Sequence, residues 1–241
     1  MWRANKGWRA WQGAFNFPVV YLGLVPSSGA SESARSAMSG VPLSEEASHK
    51  APMGERILYL VGGPPRVGKS SLAQRLLKLD QIPWLPTDVL RTVLRRVLPE
   101  LDAIDQDPVD ASLLSEFMYP HIEQAAEVCI EENERFLIEG FELSASYPAR
   151  LATTLENIEI RVCFLGNRSF STDDLAGYQG PKPQHRGASH EELSEAATWI
   201  RKRSEQLYEE CLDAGVAYID VGKVGFDTAM IKARRQLLGR G

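Results

Sequence analysis

Gly63-Pro64-Pro65-Arg66-Val67-Gly68-Lys69-Ser70 decides how this chain reads. The stretch fits G-x-x-x-x-G-K-[ST], the pattern of a phosphate-binding loop. Its flanks fit as well. Arg56-Ile57-Leu58-Tyr59-Leu60-Val61-Gly62 has the length and β-rich apolar composition of a strand. Ser71-Leu72-Ala73-Gln74-Arg75-Leu76-Leu77 starts a helix with apolar positions at 72, 73, 76 and 77. Strand, glycine-rich turn and helix are what phosphate binding needs. The glycines let backbone N–H groups turn toward phosphate oxygens, and the helix N-terminus adds its partial positive charge. Residues 63–71, from Gly63 through Ser71, are therefore the candidate nucleotide-binding residues, with Pro64, Pro65, Arg66 and Val67 forming the loop and Gly68 closing it. Lys69 can reach the β- and γ-phosphates, and the Ser70 hydroxyl can ligate Mg²⁺.

Composition sets the outer bounds. The chain has 241 residues, 44% hydrophobic and 24% charged, which is ordinary for a globular protein. A net charge of −5 with no long basic run does not indicate nucleic acid as a partner. Cys129, Cys163 and Cys211 are far apart and form no C-x-x-C pair, so neither a zinc site nor a disulfide framework is indicated. A reducing compartment, and so a cytoplasmic location, is the simplest expectation. No run of 18 or more apolar residues suggests a membrane span.

Residues 1–55 differ from the rest. Up to Gly29 they hold Arg3, Lys6 and Arg9 and no acid, with Trp2, Trp8 and Trp11 among the chain's five tryptophans. Ser27 to Lys50 is rich in Ser, Ala and Glu and reads as a disordered linker. A secretory signal would need a cleaner apolar core, whereas an organellar presequence fits the basic, acid-poor start. The favoured reading is an extension with no catalytic role, with 56–241 as the folded domain.

Past the loop, strands and helices alternate. A short strand is expected near Ile82-Pro83-Trp84-Leu85, at a sheet edge because of Pro83 and Pro86. Thr87 or Asp88 then caps a helix from Val89 to Leu98. A long helical zone from Ala111 to Asn133 should break or kink at Pro120. Phe136–Gly140, Ile158–Leu165 and Val216–Val221 read as further strands. A helix opens at Ser189 with an S-x-x-E capping box, and another closes the chain from Asp227 to Leu238. Residues 166–188 hold four glycines and little periodicity, are too long for an ordinary connection, and read as either a functional lid or a disordered segment. The alternation gives an α/β domain whose parallel sheet is covered on both faces, with ligand at the carboxyl ends of the strands.

The loop, the Thr87-Asp88-Val89-Leu90-Arg91 stretch and Phe136-Leu137-Ile138-Glu139-Gly140 together resemble P-loop small-molecule and nucleoside-monophosphate kinases. Shikimate-, gluconate-, chloramphenicol- and 2-phosphoglycerate-kinase-like enzymes are the nearest in pattern, and the resemblance covers about residues 56–238. It implies a P-loop NTPase three-layer fold, with a five-stranded parallel sheet in the order 2-3-1-4-5 and a lid. It implies ATP and Mg²⁺ as cofactors and transfer of the γ-phosphate to a small-molecule acceptor. Asp88 would take the acceptor's proton, and Arg91, one turn on, would hold an anionic group, favouring a carboxylate- or phosphate-bearing acceptor. Glu139 would hold a Mg²⁺-bound water or contact the acceptor, although many relatives have Asp there. Arg168 and Arg186 are the lid candidates for stabilising the transferring charge, with Lys182, Arg201 and Arg203 behind them. The backbone at Asp220-Val221-Gly222 would contact adenine.

Two other classes stay in view. Motor ATPases end an apolar strand in Asp-Glu, and neither Phe136–Gly140 nor Ile158–Gly166 does. A nucleotide-binding module without catalysis would keep Lys69 and Ser70 but lack a working acceptor site.

Overall fold

The computed structural model describes residues 56–98, 101, 111–176 and 188–240. The extension 1–55 and residues 177–187 of the segment read as a lid, including Lys182 and Arg186, lie outside the described residues.

Five strands form one parallel sheet in the order β2-β3-β1-β4-β5. They are β1 (Ile57–Gly62), β2 (Trp84–Pro86), β3 (Arg135–Gly140), β4 (Glu159–Gly166) and β5 (Tyr218–Asp220). The central strand β1 pairs along its whole length with β3 on one side and β4 on the other. Its side chains alternate between two cores, as the period of a strand buried on both faces requires. Leu58 and Leu60 join Phe136 and Ile138 beneath α3 (Ala111–Glu132), α4 (Tyr147–Thr154) and α6 (His190–Ala214). Tyr59 and Val61 join Leu137, Cys163 and Leu165 beneath α1 (Lys69–Asp80) and α8 (Phe226–Leu237). Burial pushes the Cys163 and Cys211 thiols up to about 12, so neither supplies a nucleophilic thiolate near neutrality.

Three expectations change. The helix after β2, α2, spans Thr87–Arg95, so Thr87 and Asp88 lie inside its first turn. Its N-cap is Pro86, with no side-chain cap, because the Thr87 hydroxyl donates to Glu142 across the loop. Pro120 sits inside an unbroken α3, whose Leu114, Met118, Ile122, Ala126 and Ile130 share one buried stripe on both sides of it. Finally, β5 stops at Asp220, and Val221 opens a short helix, α7 (Val221–Val224), capped by the Asp220 carboxylate accepting from Lys223 N at 3.3 Å. The three-residue β2 lies at the sheet edge, where Pro83 and Pro86 leave room for nothing longer. The capping box at Ser189 is present: its side chain accepts from Glu192 N, and Glu192 reaches back to Ser189 N.

The layer below α1 is tied to α8 by a bidentate pair, with Arg234 Nε and NH2 each 2.7 Å from the Asp80 carboxylate. Asp80 has 6% of its side chain exposed. Arg234→Ala is expected to cost about 1–3 kcal/mol, the range for stranding a buried polar partner. Its urea midpoint should fall with no change in slope, and an unshifted midpoint would show the pair to be idle.

Candidate active site

Parallel strands put all their carboxyl ends on one edge, and the register makes this concrete. Glu139 on β3 lies level with Val61 on β1 and with Pro86 on β2. The chain therefore leaves β1 into Gly63, and β2 into Asp88, within two residues of the same level. Gly63 has φ 142° and Gly68 φ 102°, conformations that side chains rarely adopt. A Cβ at Gly63 would also stand 2.1 Å from the Leu165 carbonyl oxygen, so the loop can pass β4 only as glycine.

Within the loop Val67 is buried and anchors the turn against α1 and α8. Lys69 Nζ donates to the Pro64 carbonyl at 2.9 Å, arching over the loop. Ser70 Oγ donates to Glu139 Oε1 at 2.9 Å, which joins the start of α1 to the end of β3. Glu139 is 4% exposed. A hydroxyl beside a carboxylate is a hard oxygen pair of the kind Mg²⁺ takes, with waters and phosphate oxygens as its other ligands. Among the described residues no group of three or more His, Cys, Asp or Glu could hold a metal by itself. The sequence-derived metal residues, Ser70 and Glu139, thus fit Mg²⁺ as a partner of a bound phosphate.

On the other side of Glu139 stands a second group. Asp88 Oδ1 lies 3.2 Å from Arg91 NH2, one turn along α2. Arg91 Nε lies 3.2 Å from Glu142 Oε1. Glu142 is 1% exposed, and its other oxygen accepts from Thr87 Oγ1. The Glu142 backbone carbonyl accepts from Ser115 Oγ at 2.7 Å, which fixes the exit of β3 against α3. Thr87 packs against Gly140 so tightly that a Cβ there would fall 1.6 Å from its Oγ1. Sequence reading missed Thr87 as a structural partner and Glu142 altogether. The available signal was a second acid, three residues after Glu139 and between Phe141 and Leu143, in a run from Phe136 that is otherwise apolar.

The remaining candidates lie toward β4 and β5. Arg168, two residues past β4, donates from Nε to Asp220 Oδ2 at 2.8 Å and faces Glu205 at 3.5 Å. Its guanidinium also covers the Tyr208 ring at 4.1 Å. The hydrogen bond to Asp220 holds the Arg168 pKa above its ordinary value. Arg168 thus bridges the exits of β4 and β5. Val221, the candidate beside Asp220, is buried, and a Cβ at Gly222 would collide with Asn167 and Ser169, so these two exits touch. Arg201 donates to the Phe170 carbonyl, and Arg203 pairs with Glu210 on its own helix.

A parallel sheet ordered 2-3-1-4-5, with this loop leading from the central strand into α1, is the P-loop NTPase α/β fold. Comparison with known proteins adds names but no closer assignment. No family model and no curated protein matches the chain. Among solved structures it is similar to an uncharacterized protein from Eubacterium ventriosum (19% identity, 77% of this chain and 100% of that one, TM-score 0.45). It is similar to a gluconokinase from Sinorhizobium meliloti (16%, 78% and 95%, TM-score 0.42). It is also similar to a shikimate kinase from Acinetobacter baumannii solved with shikimate (14%, 77% and 94%, TM-score 0.45). At such identities and scores the fold assignment rests on the chain's own sheet order and loop. Among the described residues no helix is long and apolar enough to cross a membrane.

Proposed function

We propose that the protein is a kinase that moves the γ-phosphate of ATP to a hydroxyl of a small-molecule acceptor. The observation that carries this reading is the 2.9 Å bond from Ser70 Oγ to Glu139 Oε1, with Asp88 leaving the adjacent strand at the same level. The loop amides and Lys69 hold the phosphate tail, Lys69 having further N–H donors beside the one it gives the Pro64 carbonyl. Ser70 and Glu139 would hold Mg²⁺, which when bound would supply charge neutralisation to the transferring phosphate. The acceptor oxygen attacks the γ-phosphorus and forms the new O–P bond. The bond from that phosphorus to the β,γ-bridging oxygen breaks, and its electron pair leaves with ADP. The acceptor's proton passes to the Asp88 carboxylate. Arg168 and Asp220 hold the β4 and β5 exits beside the loop, where a nucleotide base would lie.

The reading is tested by calorimetry with Mg-ATP, followed by a metabolite panel read by coupled ADP release and by phosphorus NMR of the product. Mg-ATP should bind, and one acceptor class should accelerate ADP release. No uptake of Mg-nucleotide would sink the proposal, and ATP binding with no turnover on any acceptor would favour a non-catalytic module. Ser70→Ala should reduce the gain in ATP affinity conferred by Mg²⁺ by about tenfold or more, the scale for disturbed metal surroundings. A Mg²⁺ titration of ATP binding reads this directly, and an unaltered gain would remove Ser70 from the metal site.

A further inference from the structure

Arg91 is clamped between two carboxylates, one a turn back on its own helix α2 and one from the segment that follows β3. Glu142 faces its Nε at 3.2 Å and Asp88 faces its NH2 at 3.2 Å. The exposures rank in order: the Glu142 side chain is wholly covered, Arg91 is 11% exposed and Asp88 26%. The trio carries a formal charge of −1, from two carboxylates and one guanidinium. Glu142 Oε1 makes no hydrogen bond of good geometry, so Arg91 is the charge that compensates it. Removing a cation from a buried carboxylate is strongly unfavourable. An anionic acceptor could therefore not draw Arg91 away from Glu142, and at the guanidinium's NH2 it would meet Asp88.

We propose that the acceptor is an uncharged or cationic alcohol, such as a polyol or an amino alcohol, and that Glu142 is the residue that turns carboxylate and phosphate acceptors away. The inference rests on the kinase reading for placing the acceptor beside Asp88. It reverses the expectation drawn from Arg91 alone, because Glu142 neutralises that arginine from a loop 51 positions along the chain, between residues 91 and 142. A hydroxyl compound can donate to Asp88 and an ammonium group is attracted by the trio, whereas a second anion is repelled at short range.

The test is a set of calorimetric titrations with matched probes: glycerol 3-phosphate and gluconate against glycerol, sorbitol and 2-amino-1,3-propanediol. They are run on protein loaded with Mg²⁺ and a non-hydrolysable ATP analogue, so that the phosphate-binding loop is filled, and on Lys69→Ala protein, in which the loop has lost one of its two cations. The anionic probes should bind wild-type protein no more tightly than their neutral or cationic matches. Glu142→Gln should raise affinity for the anionic probes by about tenfold, the size of effect expected when one nearby like charge is removed. Asp88→Asn, at a partly exposed position, should do the same and serves if Glu142→Gln does not fold. Thr87→Val removes the other partner of Glu142 and should leave the discrimination as it is. Wild-type protein binding either anion tenfold more tightly than its match would overturn the inference. So would unchanged anion affinity in the variants. Failure of the analogue to load strikes the kinase reading alone, since the Lys69→Ala titrations still measure charge discrimination beside Arg91.

Discussion

Asp88→Asn should lower kcat by about 10²–10⁴-fold on the protein's acceptor, the range for loss of a general base. Its affinity for Mg-ATP should stay at the wild-type value. The split follows from position. Asp88 stands in the first turn of α2, at the exit of the edge strand β2, while the loop, Lys69 and Ser70 rise from the central strand β1. Asparagine keeps the shape and can still accept from Arg91 NH2, so α2 should remain docked. Single-turnover transfer measures the chemical step, calorimetry the nucleotide affinity, and a urea midpoint the fold. Transfer at the normal rate would remove Asp88 from the chemistry, and a loss of ATP binding in parallel would point to a collapsed site.

The largest structural effect is expected at Gly140. A methyl there would stand 1.6 Å from Thr87 Oγ1 and 2.6 Å from its Cβ. Thr87 has no exposed surface to move into, and its hydroxyl is committed to Glu142. Gly140→Ala must therefore push the start of α2 away from β3, at a cost of about 1–3 kcal/mol or somewhat more for overpacking. Because Asp88 and Arg91 ride on that helix, phosphoryl transfer should fall together with stability. Combining Gly140→Ala with Thr87→Gly should be less damaging than the sum of the two changes by about 0.5–3 kcal/mol, the usual coupling of contacting residues. Urea midpoints of the four proteins in the cycle measure it, and additive losses would mean that the two residues do not touch.

Much of the loop and the sheet around it was legible in the sequence because its determinants are local. The loop works through backbone conformation, and eight consecutive residues, flanked by an apolar strand and a helix start, specify that conformation. Strand and helix alternation then implies a parallel sheet, and a parallel sheet implies one functional edge. The pairing of Ser70 with Glu139 follows from the same logic, since β3 ends in its acid beside the strand that carries the loop.

The surroundings of Arg91 were not legible, for a physical reason. What Arg91 can bind depends on which charges already face it, and one of them, Glu142, arrives through the exit of β3 rather than through α2. Thr87 read as a helix cap because a threonine before a helix usually is one, yet the tertiary fold offers its hydroxyl a buried carboxylate instead. Pro120 read as a break because a lone proline costs a helix one hydrogen bond, but a buried stripe on both sides of it holds α3 together. In this protein the phosphate-binding loop is a property of consecutive residues, and it could be read from the sequence alone. The charge around Arg91 includes Glu142, which only the folded sheet brings within 4 Å of it.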